Sequence, residues 1–197
     1  MAFIGLRYPV VAQVATHTEG SEPTYSAGKV VGKAITANLT ITRNDNPLYA
    51  DDKIAEDDNG ITGMSLELGL DDITEEVQTY MLGVVKETTG TASASVDTYL
   101  DSDASAPAVG VGYIRVRRKG GTTSYQGVWI YKATFGYTDE SAQTKGESIE
   151  WQTPTVTGRC VGISRTSTGR LDFRARQNFA TEADAMAWLN AKAGITT

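Results

Sequence analysis

The strictest constraint in this sequence is a pair of alternating segments. In ITANLTIT, residues 35–42, Ile35, Ala37, Leu39 and Ile41 alternate with Thr36, Asn38, Thr40 and Thr42. In MSLELGL, Met64, Leu66, Leu68 and Leu70 alternate with Ser65, Glu67 and Gly69. A period of two places apolar side chains on one face of an extended chain and polar ones on the other, which describes half-buried strands and not helices. Twenty glycines and many Thr and Val residues point the same way, since β-branched side chains fit a pleated surface and glycine punctuates it. At 197 residues the chain can bury one sizeable core, so residues 1–197 are read as a single domain.

Between the two alternating segments, residues 43–63 show no sustained period and read as a long loop. Structureless connections beyond about 12–15 residues are uncommon in a compact domain and are most often functional. At the centre of this one lies DDKIAEDDNG, residues 51–60, with the carboxylates Asp51, Asp52, Glu56, Asp57 and Asp58. The next segment, DDITEEVQTYMLG, reads as a helix: Asp72 can cap it, Glu75 completes a capping box, and Ile73, Val77, Tyr80 and Met81 share a face. Gly83 is placed to end it. The carboxylates of Asp71, Asp72, Glu75 and Glu76 then serve the helix N-terminus, where negative charge is favourable.

Residues 109–119, VGVGYIRVRRK, and 125–137, YQGVWIYKATFGY, flank Gly120-Gly121 and predict a long β-hairpin. Alternation puts Trp129, Tyr131, Ala133 and Phe135 on one face. Further strands are expected around residues 148–157, 160–164 and 171–176. In the closing TEADAMAWLNAKAG, Thr181 can cap a short helix with Ala185, Trp188 and Leu189 inward and Gly194 beyond its end. Strands, helix, strands and a terminal helix suit a mainly β protein, sandwich or barrel-like, with a flanking α-helix and a short C-terminal helix.

Chemical motifs are scarce. The net charge of -6 and pI near 4.8 argue against a protein that grips a phosphate backbone. An EF-hand calcium loop with Gly60 at its sixth position would begin at Ala55 and end at Leu66, and fails at both ends. An irregular Ca²⁺ site in the acidic loop stays open beside its reading as a solvated or partner-facing surface. Gly110-Val-Gly112 begins like a nucleotide fingerprint, but Arg115 stands where the third glycine belongs and no helix follows. The single Cys160 and single His17 lie far apart in sequence, which leaves no paired nucleophile and base, no zinc spacing and no internal disulfide. The reading is therefore of a protein without catalytic residues, metal or cofactor. The N-terminus, with Arg7 and Pro9 inside its apolar part, is a poor signal peptide, and no run is long enough to span a bilayer as a helix.

Two surfaces remain. The basic run Arg115, Arg117, Arg118 and Lys119 puts Arg115 and Arg117 on one strand face and Arg118 on the other. It is either a solvated hairpin end or a contact for an acidic surface of another copy or for a phosphate backbone. Trp129, Tyr131 and Tyr125 could form a stacking platform, which is the alternative reading: a β-sandwich carbohydrate-binding or adhesin-like module.

The run NPLYADDKIAEDDNGITGMSLELGLDDITEEVQTYMLG, with the later KGESIEWQTPTVTG and FATEADAMAWLN, resembles the major tail protein (tail tube protein) family of long, non-contractile-tailed phages infecting Gram-positive bacteria. The resemblance runs from about Lys29 onward and is least distinctive over residues 86–110, where a variable loop is expected. It implies a β-sandwich or barrel-like subunit with a flanking helix, six copies of which close into rings that stack into a tube for the genome. Its implied partners are further copies of itself, the tape measure protein, the tail terminator and distal tail proteins. Double-stranded DNA would pass without specific binding, and the site of action would be the virion, assembled in the host cytoplasm. On this reading residues 43–63 form an inter-subunit loop, in which Leu48, Tyr49 and Ile54 supply apolar contact and the carboxylates supply register.

Overall fold

The computed structural model describes residues 2–44, 46–50, 53–58, 60–91, 94–103, 105–136, 144, 153–167 and 169–195, with the backbone alone over 46–50 and 53–58. In chain order the strands are β1 (Ala2–Thr16), β2 (Thr24–Val30), β3 (Ala34–Arg43), β4 (Asn46–Ala50), β5 (Lys53–Asp58) and β6 (Ile61–Leu70). After helix α1 (Glu75–Met81) come β7 (Val85–Thr89), β8 (Val96–Leu100), β9 (Val109–Lys119) and β10 (Thr122–Gly136). The chain ends with β11 (Thr155–Cys160), β12 (Ile163–Arg165), β13 (Arg170–Asp172), β14 (Arg174–Phe179) and helix α2 (Glu182–Ala193). The protein is mainly β, built on one large antiparallel sheet with two helices.

The main sheet has the order β2-β1-β9-β10-β11-β6-β3, with β14 added to β10. The predicted hairpin is present: β9 and β10 are joined by Gly120 (φ 54°) and Gly121 (φ 83°), both left-handed, as a two-residue hairpin turn demands. β10 has β9 along one side, but its other side is shared. Tyr125–Ile130 pairs with β14 and Ala133–Gly136 pairs with β11. Between them lies a one-residue bulge, where β10 advances from Ile130 to Ala133 while β9 moves only from Val111 to Val109. The freed backbone groups are satisfied at the fork, where Tyr131 N–H donates to the Phe173 carbonyl (3.2 Å) and Val161 N–H to the Lys132 carbonyl (2.8 Å).

The bulge also corrects an expectation. A period of two places Trp129, Tyr131, Ala133 and Phe135 on one face, but the extra residue reverses the side-chain parity. Val128, Ile130, Ala133 and Phe135 enter one core with Leu66, Leu68, Met64, Val111 and Tyr113, beneath the Val77 and Met81 side chains of α1. Trp129 and Tyr131 enter a second core on the opposite face with Val10, Ile114, Ala185, Leu189 and Ala193, the inward row of α2. β10 is consequently buried on both faces through its middle.

The seat of α2 explains the Gly110-Val-Gly112 motif. The Trp129 ring lies against both glycines: a Cβ on Gly110 would fall 2.6 Å from Trp129 Cζ2, and one on Gly112 would fall 2.7 Å from Trp129 Cε3 and from Leu189 Cδ2. These glycines serve close packing and not phosphate binding.

Other expectations hold with shifts. Thr181 caps α2, accepting from Asp184 N–H at 3.2 Å, and Gly194 ends it in the left-handed region (φ 69°). For α1 the cap is Thr74 and not Asp72: Thr74 Oγ1 accepts from Val77 N–H, while Asp71 takes the Lys33 N–H. Ile35 is not on the apolar face of β3. The register slips between Ala34 and Thr36, so Ile35 bulges out and is 49% exposed, while Ala37, Leu39 and Ile41 pack on the core. Of the strand expected at residues 148–157, the part before residue 153 lies outside the described residues. That expected at 160–164 divides, Cys160 ending β11 and Ile163 opening β12. Residues 86–110, expected as a variable loop, contain most of a hairpin, β7 and β8, tied by a Lys86–Asp97 ion pair at 2.8 Å.

Leu66 and Leu68 are fully buried. Replacing either with Ala is expected to cost about 2–5 kcal/mol in urea unfolding, through lost burial and the cavity left behind. Gly112→Ala is expected to cost about 1–3 kcal/mol by overpacking the α2 seat. An unchanged midpoint in these variants would contradict the assigned cores.

Candidate subunit-docking surfaces

The segment expected to be an irregular loop is a two-stranded ribbon. β3 and β6 pair from Ala34↔Leu70 to Arg43↔Ile61, and Asn44 N–H donates to the Gly60 carbonyl (2.8 Å). β4 and β5 continue the pair from Asn46↔Asp58 to Ala50↔Lys53. The sequence concealed this because pairing along a ribbon can be carried by backbone bonds, with no core to impose alternation. Leu48 pairs with Glu56, Tyr49 with Ile54 and Pro47 with Asp57. Asp51 and Asp52 lie outside the described residues.

Beside β6, β11 ends at Cys160, opposite Met64, so the ribbon runs past the last strand next to it. Among the described residues no strand other than β4 and β5 pairs with either, and the two make no extended contact with the body. From Asn44 to Ala50 an extended chain reaches about 20 Å. Among the described residues its two outer edges are unpaired, and edge backbone groups of this kind are those that pair with another strand.

The basic run divides: Arg118 and Lys119 form an exposed hairpin end, while Arg115 and Arg117 are half-buried. Arg115 and Arg117 share the β9 face that also carries Tyr113, and Phe3 of β1 stacks beside them, with guanidinium carbons 4.1 Å and 5.3 Å from its ring centre. Arg115 Nη2 donates to Gln126 Oε1 and Arg117 Nη1 donates to Asn178 Oδ1 (2.9 Å), an oxygen that also accepts from Gln126 Nε2 (2.9 Å). β14 lies along β10 and brings Arg174 opposite Ile130 and Arg176 opposite Val128, on the same face. Burial foremost, then the neighbouring Arg176 and Arg117 charges, depress the Arg115 guanidinium pKa; Arg174 is lowered by burial and then by Arg176. Arg118 is exposed, with Lys119 at the tip. Sequence reading missed Arg174 and Arg176. Their i, i+2 spacing repeats that of Arg115 and Arg117, but the pairing of β14 with β10 has no local signature.

A third surface is the outward face of β3, β6 and β11. Thr36, Asn38, Thr40 and Thr42 lie beside Ser65 and Glu67, and beyond them Thr155, Thr157 and Arg159. Nearly all are exposed, and Asn38 Nδ2 donates to Glu67 Oε1 at 3.0 Å. The face is rich in hydroxyl and amide groups, with Glu67 balanced by Arg159.

Other candidates lose their chemistry. Trp129 is fully buried and Tyr131 is 3% exposed, so the aromatic platform is core packing. Cys160 is buried, while His17 is exposed. Among the described residues no group of His, Cys, Asp and Glu is arranged to hold a metal, and no helix is long and apolar enough to cross a membrane. The sequence matches no protein-family model and no curated protein.

Burial pushes the Cys160 thiol up to about 11, which withholds the reactive thiolate. Alkylation of the native protein at pH 8 is expected to be far slower than in denaturant. The raised folded-state value means that this site's contribution to stability is full below the ordinary thiol range, about 8.5. It is lost as pH climbs toward about 11. Fast native alkylation would contradict the burial.

Proposed function

We propose that this chain is a structural subunit of a long-tailed phage, six copies closing into a ring and rings stacking into a tail tube. The observation that carries the reading is the ribbon of β4 and β5, which extends beyond the main sheet and, among the described residues, pairs with no other strand. A segment of that length, with open edges and dense charge, is stabilised chiefly by what it docks against. A ring needs such a feature, because each copy must offer one patch to a different patch on the next. The resemblance of residues 46–83 and of the C-terminal segment to tail tube proteins supports the same conclusion.

The polar face of β3, β6 and β11 fits the wall of a conduit. Hydroxyl and amide side chains with balanced charge give passing duplex DNA neither a basic track nor a base-reading surface. Glu67 is the one acidic side chain among those named on this face, so repulsion of phosphates rests on the negative balance of the whole chain. The role is architectural, without catalysis, cofactor or metal, in the virion, with the tape measure, terminator and distal tail proteins as neighbours.

Negative-stain microscopy and sedimentation of the purified full chain test this reading, with rings or tubes expected. Asp57→Lys with Asp58→Lys is expected to impair assembly while leaving the unfolding midpoint nearly unchanged, since among the described residues β5 pairs only with β4 and not with the main sheet. Assembled tubes are expected to bind duplex DNA weakly at physiological salt. Dispersed monomers that bind glycan would overturn the proposal in favour of a carbohydrate-binding module, and calcium-dependent assembly would move the acidic ribbon's role to metal binding.

A further inference from the structure

We propose that the face formed by Arg115, Arg117, Arg174 and Arg176 is the seat for the acidic ribbon of a second copy of this chain. The inference rests on the self-assembly reading and names the two surfaces that meet.

The face is electrostatically unfinished. Arg115 and Arg117 are held by the amide oxygens of Gln126 and Asn178, neutral acceptors that orient a guanidinium without neutralising it. The buried Nε atoms of Arg115 and Arg117 have no hydrogen-bond partner among the described residues. The ion pairs of the described residues involve Arg7, Lys29, Lys86, Arg165 and Lys192, and none involves Arg115, Arg117, Arg174 or Arg176. Like charges gathered on one face of a chain whose net charge is -6 repel one another at a cost that an acidic ligand removes.

The ribbon is the complementary element. β5 carries Glu56, Asp57 and Asp58, in a stretch of sequence that also holds Asp51 and Asp52. Glu56 and Asp58 stand at i, i+2 on β5, the spacing of Arg115 and Arg117 on β9 and of Arg174 and Arg176 on β14. Strand lying along strand therefore brings carboxylates to guanidiniums in one register, about 6.6 Å apart along each chain. The direction of pairing places both features at one end of the sheet. Moving along β10 toward Thr122 is moving along β6 toward Ile61, since Ala133 pairs with Cys160 and Cys160 with Met64. Copies related by an axis along the strands hold ribbon and arginine face at one level, where neighbours in one ring can exchange them.

The test uses the full chain and two readouts. A fluorescent peptide of residues 46–58 is expected to bind wild type in a salt-sensitive way, and Arg117→Glu with Arg176→Glu is expected to weaken it by at least about tenfold. Arg176→Gln, at an exposed position, gives a milder loss and stands in if the double variant unfolds thermally. In assembly, the arginine reversal and a Glu56→Lys, Asp58→Lys reversal are each expected to abolish rings, and their combination to restore them. Peptide binding that ignores the arginines overturns the inference. So does a short DNA duplex that binds through the arginines when the peptide does not, which would make the face a phosphate site. Wild-type tubes that persist in the arginine variants overturn this inference alone, whereas arginine-dependent peptide binding by a wild type that never assembles overturns the tube reading alone.

Discussion

One extra residue in β10 organises this protein. Up to Ile130 the strand pairs with β14, and from Ala133 it pairs with β11. The bulge at the fork both reverses the side-chain parity and turns the outer edge over to a new partner. Without it Trp129 and Phe135 would face the same way, and the two cores would merge or one would lack its largest side chain. With it, β14 is free to carry Arg174 and Arg176 across β10 from β9, while β11 hands the sheet on to β6, β3 and the ribbon that grows from them. The backbone bonds at Tyr131 and Lys132 keep the fork from leaving buried polar groups unpaired.

The second organising constraint is the close seating of α2. Its inward row, Ala185, Leu189 and Ala193, follows i, i+4 spacing, and its small residues bring the helix near the sheet. Trp129 fills the remaining space only because Gly110 and Gly112 have no Cβ to meet it. A glycine pattern that resembles a nucleotide motif is thus a packing device. The same packing removes the aromatic surface on which a glycan-binding reading depends, since a fully buried indole cannot stack on a sugar.

Charge is distributed to match. An acidic chain concentrates arginines on one face and carboxylates on one extended ribbon, and within the described residues neither neutralises the other. Opposite charges kept apart in one molecule favour heterologous contact between molecules, and they raise encounter rates while discouraging wrong registers. The polar face of β3, β6 and β11 takes part in neither group.

The local elements were legible in the sequence because each rests on neighbours along the chain. Strand alternation at Leu39 and Leu66, the glycine turn at residues 120–121, and the Thr181 cap with its Gly194 stop are all set by period and short-range hydrogen bonding. The ribbon was not legible, because backbone pairing without a core leaves no period to read, although its length and charge marked the segment as unusual. Half of the arginine face was visible as Arg115 and Arg117. Its other half, Arg174 and Arg176, is brought there by a strand pairing across more than forty residues. What the amino-acid order determined alone is where strands, turns and helices begin and which residues prefer the inside. Which strand lies beside which, where the parity flips, and which charges end up together were decided by the tertiary structure, because long-range pairing answers to the packing of the whole core and not to any local pattern.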